Sequence, residues 1–453
     1  MPSRDSRFMP APERGGHLRI VGARLIDPAR GMDEPADLWV RAGRVAALSP
    51  PGRLPAAAAR DPLLRASGLW LVPGFVDLHV HLRDPGQTEA EDLDSGARAA
   101  AAGGFTTVVC MPNTRPPLDR ADRLRRLMTR LRRKDGVRVI PAAALSLGLA
   151  GRTPVSFEAL VRAGAGAFSD DGVGTADEAV LAAALEASLR HRVPVMVHCE
   201  DRRISAGGVA RPGMAARRLR LAPWPSKAEW VSVARHLRTL ERAPGHLHLQ
   251  HLSCARSLDL LRAGRARGLH VTAEVTPHHL ALSDRDLPQR AYGGGADPNF
   301  KMNPPLPAER DRRALLRALR DGTIDAVATD HAPHTVRSKS MNFTEAPFGV
   351  VGMETAAAVL FSLVQDGTIS RVRWCELLST GPARVIGIDR GHLGLGALAD
   401  MVLFDPEESW VPRAEEFLGK SANSPFLGQR LRGRVRATFI MGRCRYWRAR
   451  PRG

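Results

Sequence analysis

The sequence predicts an α/β protein: a (β/α)8 barrel of the TIM type with a small β-sandwich built from both chain ends. Three observations predict it. Short apolar runs ending in polar residues recur eight times through the middle of the chain. Ala-, Leu- and Arg-rich stretches of helical texture lie between several of them, and alternation of strand and helix implies parallel pairing. Alternating strand-like segments precede the first run and follow the last.

Residues 1–16 mix Arg, Asp, Glu and Pro with no apolar stretch, so they read as a disordered extension rather than a secretory signal. Residues 17–26 and 37–48 alternate as strands, punctuated by Asp27-Pro28 and Ala42-Gly43-Arg44. A Pro/Ala-rich connection covers 49–59. The eight apolar runs are 71–79, 105–112, 137–146, 165–170, 194–198, 246–251, 270–276 and 324–330. Helical patterns occupy 90–102, 120–133, 176–191, 227–242 and 309–320. Eight such units fit a barrel of roughly 250 residues. Past residue 390 the texture returns to β, at 398–404 and 433–445. The expected organisation is an extension (1–16), a first β-sandwich part (17–70), the barrel (71–390) and a second β-sandwich part (391–453).

Composition narrows the function. With 44% apolar and 25% charged residues, disorder and collagen are excluded. No uncharged apolar stretch reaches the ~18 residues of a membrane-spanning helix, so no membrane partner is expected. The formal net charge is +19, which raises the question of nucleic acid. Lys occurs only at Lys134, Lys227, Lys301, Lys339 and Lys420, so nearly all the basic residues are Arg, spread from Arg4 to Arg452. A protein that binds a phosphate backbone concentrates its basic residues on one face or arm. The excess therefore reads as Arg-for-Lys replacement on solvated helix faces, and no nucleic-acid partner is expected. Five scattered Cys without a CxxC pair suit reduced thiols and a cytoplasmic location.

The chemistry lies in the strand ends. A barrel enzyme carries its catalytic groups at the C-terminal ends of its strands. Here those ends hold His79 and His81, Asn113, Asp170-Asp171, His198, His251, and Asp330 with His334. In Asp77-Leu78-His79-Val80-His81, residues two apart face the same way, so both imidazoles point at the barrel mouth. Two imidazoles on one face make half of a zinc site. Further imidazole and carboxylate strand ends exceed what one tetrahedral ion takes, which points to a two-metal centre with a shared carboxylate and a bridging hydroxide as nucleophile.

The stretch Pro73-Gly74-Phe75-Val76-Asp77-Leu78-His79-Val80-His81-Leu82-Arg83-Asp84-Pro85-Gly86 resembles the opening motif of the amidohydrolase superfamily. Within it, the chain resembles the longer bacterial dihydroorotases. Matching motifs follow in order: Met111-Pro112-Asn113-Thr114, Ser169-Asp170-Asp171-Gly172, His198-Cys199-Glu200-Asp201, Ala273-Glu274-Val275-Thr276-Pro277-His278-His279, Lys301-Met302-Asn303-Pro304-Pro305 and Thr329-Asp330-His331-Ala332-Pro333-His334. The resemblance implies two Zn2+ ions per subunit, or one where the second is held weakly. His79 and His81 would bind the first ion, completed by Asp330, and His198 and His251 the second. Many superfamily members bridge their metals with a carboxylated Lys. Between His81 and His198 the only Lys is Lys134, in a basic helical run remote from the strand ends, so a carboxylate must bridge. Asp171 matches the liganding position of relatives, with Asp170 as the alternative.

The resemblance also implies that Arg83, Asn113 and Asn303 hold a substrate carboxylate, with His334 alongside; an Arg fork donates two parallel hydrogen bonds to such a group. Asp330 would serve as general base and then acid. The loop 337–348 would lie at the mouth, with backbone contacts to substrate from Pro347 and Phe348, and could close over it. The implied reaction is the reversible cyclisation of N-carbamoyl-L-aspartate to L-dihydroorotate plus water, in pyrimidine synthesis. The implied partners are the small-molecule substrate, a second copy in a homodimer, and aspartate transcarbamoylase. The rival readings are a hydantoinase or allantoinase, whose ring substrates lack the carboxylate, and a non-catalytic scaffold for the transcarbamoylase. Other polar residues read as structural: His278 and His279 beside the site, His331 pointing away to hydrogen-bond a ligand, His191, His236, His246 and His270 at the surface or in packing, Cys199 and Cys254 on alternate faces, and Glu200 and Asp201 anchoring a loop. Gly103-Gly104 reads as a helix C-cap.

Overall fold

The computed structural model describes residues 16–133, 136–174, 177–287 and 295–449. Residues 1–15 of the expected extension, Lys134, and the start of the helix expected at 176 lie outside the described residues.

Eight parallel strands form the barrel: β1 (Phe75–Val80), β2 (Phe105–Cys110), β3 (Arg138–Ala143), β4 (Ala167–Phe168), β5 (Val195–Val197), β6 (Leu247–Leu249), β7 (Val271–Val275) and β8 (Ala326–Val327). Each pairs with the next in chain order. Beyond β8 the chain comes back alongside β1, where the His81 N–H donates to the His331 carbonyl at 2.8 Å. The eight apolar runs of the sequence supply the eight strands.

A helix follows each strand: α1 (Leu93–Ala102), α2 (Ala121–Arg132), α3 (Phe157–Ala163), α4 (Glu178–His191), α5 (Lys227–Arg242), α6 (Ala255–Ala266), α7 (Glu309–Arg320) and α8 (Met353–Gln365). The Asp92 side chain opens α1 by accepting from the Asp94 and Ser95 N–H groups, and Ser95 returns a bond to the Asp92 backbone. In α7, Ala314, Leu315, Ala318 and Leu319 form the buried stripe and Arg residues line the other face. Arg125, Arg126, Arg217 and Arg218, from the basic runs, are exposed. α8 is buried almost all round, so it carries no amphipathic signature in the sequence.

The chain ends meet in one mixed sheet of eight strands. Its path runs Arg443–Trp447, Leu431–Ile440, Met401–Trp410, Trp70–Pro73, Leu18–Asp27, Met32–Arg41, Arg44–Ser49, with Leu63–Arg65 paired to Leu18–Asp27. Met401–Trp410 runs antiparallel to Trp70–Pro73, which ties the C-terminal segment to the N-terminal one. Ile20, Leu25, Leu38, Leu71, Leu403 and Phe439 fill the core of this sheet. The run 71–79 is thus divided between two sheets at Gly74. A β-carbon there would lie 2.3 Å from Thr106 Oγ1, and the Gly74 N–H donates to the Asp400 carbonyl at 2.8 Å. Only glycine lets the backbone pass this close.

The barrel interior is apolar on one side, where Val76, Leu78, Val109, Met196, Ala326 and Ala328 pack together. The expected metal-site residues gather at the strand C-termini, and a file of polar side chains on Leu247–Leu249 and Val271–Val275 runs through the other side. Among the described residues, no helix is long and apolar enough to cross a membrane.

Candidate metal centre

The residues expected at the strand ends converge. His79 stands near the end of β1 with His81 just beyond; Asp171, His198, His251 and Asp330 follow β4, β5, β6 and β8. Ligand-capable atoms of His79, His81 and Asp171 lie within 4.8 Å of one another, as do those of Asp171, His198 and His251. Asp171 is common to both groups. Asp330 Oδ1 lies 3.2 Å from His81 Nε2 and 3.4 Å from His79 Nε2. Asp170 is occupied elsewhere: its carboxylate accepts from the Leu145 N–H at 2.6 Å and the Ser146 hydroxyl at 2.5 Å.

Backbone departures aim these side chains. A pairing irregularity falls between Asp77 and Val80, so Leu78 packs in the apolar interior while its neighbour His79 reaches the centre. Gln250 also faces inward, its amide 3.1 Å from His79 Nδ1, and left-handed backbone at His251 (φ 33°) brings the next side chain to the same place. Asp330 (φ 46°) and Arg83 (φ 56°) share that conformation. It costs a residue with a β-carbon on the order of 1–2 kcal/mol, and such strain gathers where function holds it.

All six side chains are buried. Burial pulls the His79 ring down, yet Asp171 and Asp330 outweigh it and hold the ring well above the ordinary imidazole value. Burial likewise pushes Asp171 up, and His79, His81 and His198 overcome it and hold the carboxyl well below its usual range. Two buried carboxylates therefore demand positive charge between the rings. His79 Nε2 is buried without a hydrogen-bond partner, while Nδ1 sits 3.2 Å from Glu274 Oε1. His81 Nδ1 donates to Asn113 Oδ1 at 2.9 Å, and His198 Nε2 donates to Glu200 Oε2 at 2.9 Å. Each of these rings is tied by one nitrogen and offers the other inward, as metal-binding imidazoles do. His198 Nδ1 and His251 Nε2 face each other at 3.0 Å. Imidazole nitrogens with shared carboxylate oxygens are the donor set of a divalent first-row metal.

A cavity of ≈ 540 Å³ opens over this cluster, lined among others by Arg83, Asn113, Asn303, His334 and Phe348. Arg83 Nε donates to the Pro333 carbonyl at 3.1 Å. His334 Nε2 donates to the Phe348 carbonyl at 2.7 Å, so its 3.4 Å approach to Arg83 Nη2 is packing between two donors. Asn303 Nδ2 donates to Glu200 Oε2 at 2.9 Å, which leaves Oδ1 buried and without a partner. Pro347 is not among the lining residues; its carbonyl accepts from Lys339 Nζ at 3.0 Å.

Comparison with known proteins agrees with this geometry. The Dihydro-orotase-like family profile matches residues 68–257, and the Amidohydrolase family profile matches 236–445. A dihydroorotase of Anaeromyxobacter dehalogenans (strain 2CP-C) is 42% identical over 426 residues, covering 94% of this chain and 97% of that one. One of Shouchella clausii (strain KSM-K16) is 39% identical over 434 residues, 96% and 99% of the two chains. The chain belongs to the dihydroorotase family. Among solved structures, L-hydantoinase from Arthrobacter aurescens superposes with a TM-score of 0.82 at 26% identity, over 94% of this chain and 95% of that one.

Within this dihydroorotase-family site, several residues have functions that the sequence reading missed. Glu200 does more than anchor a loop: besides His198 it accepts from Ser205 at 2.5 Å, Trp224 at 3.2 Å and Asn303. Lys301 Nζ donates to the Thr344 and Ala346 carbonyls, at 2.8 and 2.6 Å, and Lys339 Nζ to those of Pro298 and Pro347. Two of the chain's few Lys thus hold the loop after β8. Scarcity of Lys was the available signal. The His331 ring meets no residue of the cluster: its Nδ1 accepts from the Gly352 N–H at 3.3 Å and its Nε2 lies 3.5 Å from Glu91. Cys199, Cys254, His278 and His279 are buried, the last held by the Thr276 hydroxyl and the Pro304 carbonyl.

Proposed function

We propose that the chain interconverts N-carbamoyl-L-aspartate and L-dihydroorotate plus water, with zinc as its metal. The observation that carries the substrate assignment is a guanidinium, Arg83, at the mouth of a buried His/Asp centre. Such a pairing suits a cyclic amide that bears a carboxylate, as dihydroorotate does and hydantoin does not. His79 and His81 with Asp330 would hold one ion, His198 and His251 the other, and Asp171 both. Zinc bound there supplies Lewis acidity that acidifies water and polarises an amide carbonyl.

The side chains do the rest. Arg83 holds the substrate carboxylate through its Nη groups, and the Asn113 and Asn303 amides border the same cavity. His334 and the Phe348 carbonyl form one wall. Burial works against ionised Asp330, but His79, His81 and His251 hold its carboxyl below the usual range. It is therefore an ionised base beside the reacting atoms. In the hydrolytic direction it takes the proton from the attacking water. The ring C–N bond breaks, Asp330 returns the proton to the departing nitrogen, and the new carboxyl group releases its remaining proton to solvent as a carboxylate.

Likeness to L-hydantoinase favours a second reading, a hydantoin-type cyclic amidase. A panel of dihydroorotate, hydantoin and allantoin with the zinc-loaded chain separates them. Turnover of dihydroorotate alone is expected; turnover of the neutral rings without dihydroorotate would overturn the assignment. We extend the proposal to a cytoplasmic homodimer that associates with aspartate transcarbamoylase. All five Cys are free thiols, which supports the location. The family resemblance supports the assembly, and the solution mass of the chain with and without that enzyme tests it.

A further inference from the structure

The barrel holds a line of polar side chains where its neighbours are apolar. His79 Nδ1 lies 3.2 Å from Glu274 Oε1, and Glu274 Oε2 lies 3.0 Å from His248 Nε2. His248 Nδ1 is 2.9 Å from Thr272 Oγ1, which is 2.8 Å from His246 Nε2. His246 stacks on exposed His270, with ring centroids 4.1 Å apart. The line thus runs from the metal centre through the barrel to its opposite end. His79, His248 and Glu274 are fully buried.

Donor chemistry gives each proton one place. An ionised carboxylate only accepts, so the His79 Nδ1–H and the His248 Nε2–H both donate to Glu274, while Gln250 Nε2, 3.1 Å from the same Nδ1, turns its N–H to Met111 Sδ at 3.4 Å. His248 Nδ1 is then an acceptor and takes the Thr272 hydroxyl proton. Thr272 Oγ1 in turn accepts from the His246 Nε2–H. That leaves His79 Nε2, which faces Asp171 and Asp330 at 3.2 and 3.4 Å, as the nitrogen that would bind an ion in place of its proton. Fold stability alone does not explain this arrangement. Val76, Leu78, Met196 and Ala326 fill the interior with apolar atoms, whereas a buried carboxylate carries a desolvation cost.

Resting on the metal-centre reading above, we propose that Glu274 and His248 are positioning residues for His79. Glu274 fixes the tautomer and angle of the ring and makes it a stronger donor to the ion it binds. His248 holds Glu274 by its second oxygen, and Thr272 fixes the tautomer of His248.

The test is titration of the full-length apo chain with Co2+, following the visible d–d absorption and competition with a chelator. The wild-type chain is expected to take up two ions. Glu274→Gln replaces one accepting oxygen by a donor; it should weaken the ion held by His79 and His81 by about 10–100-fold, change its absorption band, and leave the ion at His198 and His251 unaffected. His248→Leu should weaken the same ion, and His248→Gln, which keeps an N–H near the Nε2 position, should restore most of the loss. If Glu274→Gln does not fold, the His248→Leu and His248→Gln pair decides. Folded variants that bind both ions with wild-type affinity and spectrum overturn the proposal and leave the metal centre standing. A wild-type chain that takes up no Co2+ overturns the metal centre and this proposal with it.

Discussion

Replacing Arg83 by Met removes the guanidinium and keeps a flexible apolar stem. The backbone there is already left-handed (φ 56°), and neither residue relieves that, so the change reports on the head group. Arg83 Nε is committed to the Pro333 carbonyl at 3.1 Å, which leaves the two Nη groups for substrate. Two charge-assisted hydrogen bonds at about 1.5–3 kcal/mol each make about 3–6 kcal/mol. At about 1.4 kcal/mol per tenfold, KM for dihydroorotate should rise by about 10²–10⁴. The carboxylate takes no part in bond breaking, so the loss belongs to binding in ground and transition states alike, and kcat should change little. The assay is steady-state hydrolysis by ultraviolet absorbance, with metal content measured on the same sample. A KM within about threefold of wild type, with metal retained, would refute the clamp. So would a large fall in kcat at constant KM.

Asp330→Asn keeps an oxygen near the ions but cannot take a proton; metal content should persist while kcat falls by about 10²–10⁴, and near-normal turnover would remove its acid/base role. Asp171→Ala removes the carboxylate common to both ligand groups, so elemental analysis should find fewer than two ions; full occupancy contradicts bridging. Burial, reinforced by Lys301, pulls Lys339 down to about 7. The unfolded chain then binds more protons than the folded one between about pH 7 and the ordinary Lys value of ~10.4, so this group's contribution to stability rises with pH across that window. The Tm of the wild type relative to Lys339→Met should therefore climb from pH 7 to pH 9.5, and a difference that does not vary with pH contradicts the burial effect.

The barrel was legible because its strands end in residues that a core does not tolerate. His79, His81, Asp171, His198, His251 and Asp330 each end or follow an apolar run; the structure brings the first five into two clusters that share Asp171, with Asp330 against His79 and His81. Even β4 and β8, only two residues long as paired strands, were visible through their flanking runs. What stayed hidden lacks contrast. α8 is apolar on nearly every side, and α6 buries only Ser257, Leu258, Leu261 and Gly264. The split of 71–79 depends on a contact between Gly74 and Thr106, far apart in sequence. Glu200, Glu274 and His248 escaped because their partners lie on other strands or beyond a turn. A spacing of two in His246, His248 and Gln250, and again in Thr272 and Glu274, was the signal that the barrel interior is polar here. Pro347, expected at the mouth with the loop, does not line the cavity, and its carbonyl accepts from Lys339.

The most direct test of the central claim is dihydroorotate hydrolysis and metal stoichiometry measured on one preparation, before and after chelation. We expect about two zinc ions per chain, turnover lost with the metal, and turnover restored when zinc is returned. Full activity in a metal-free chain, or two bound ions with no action on dihydroorotate in either direction, would contradict the account.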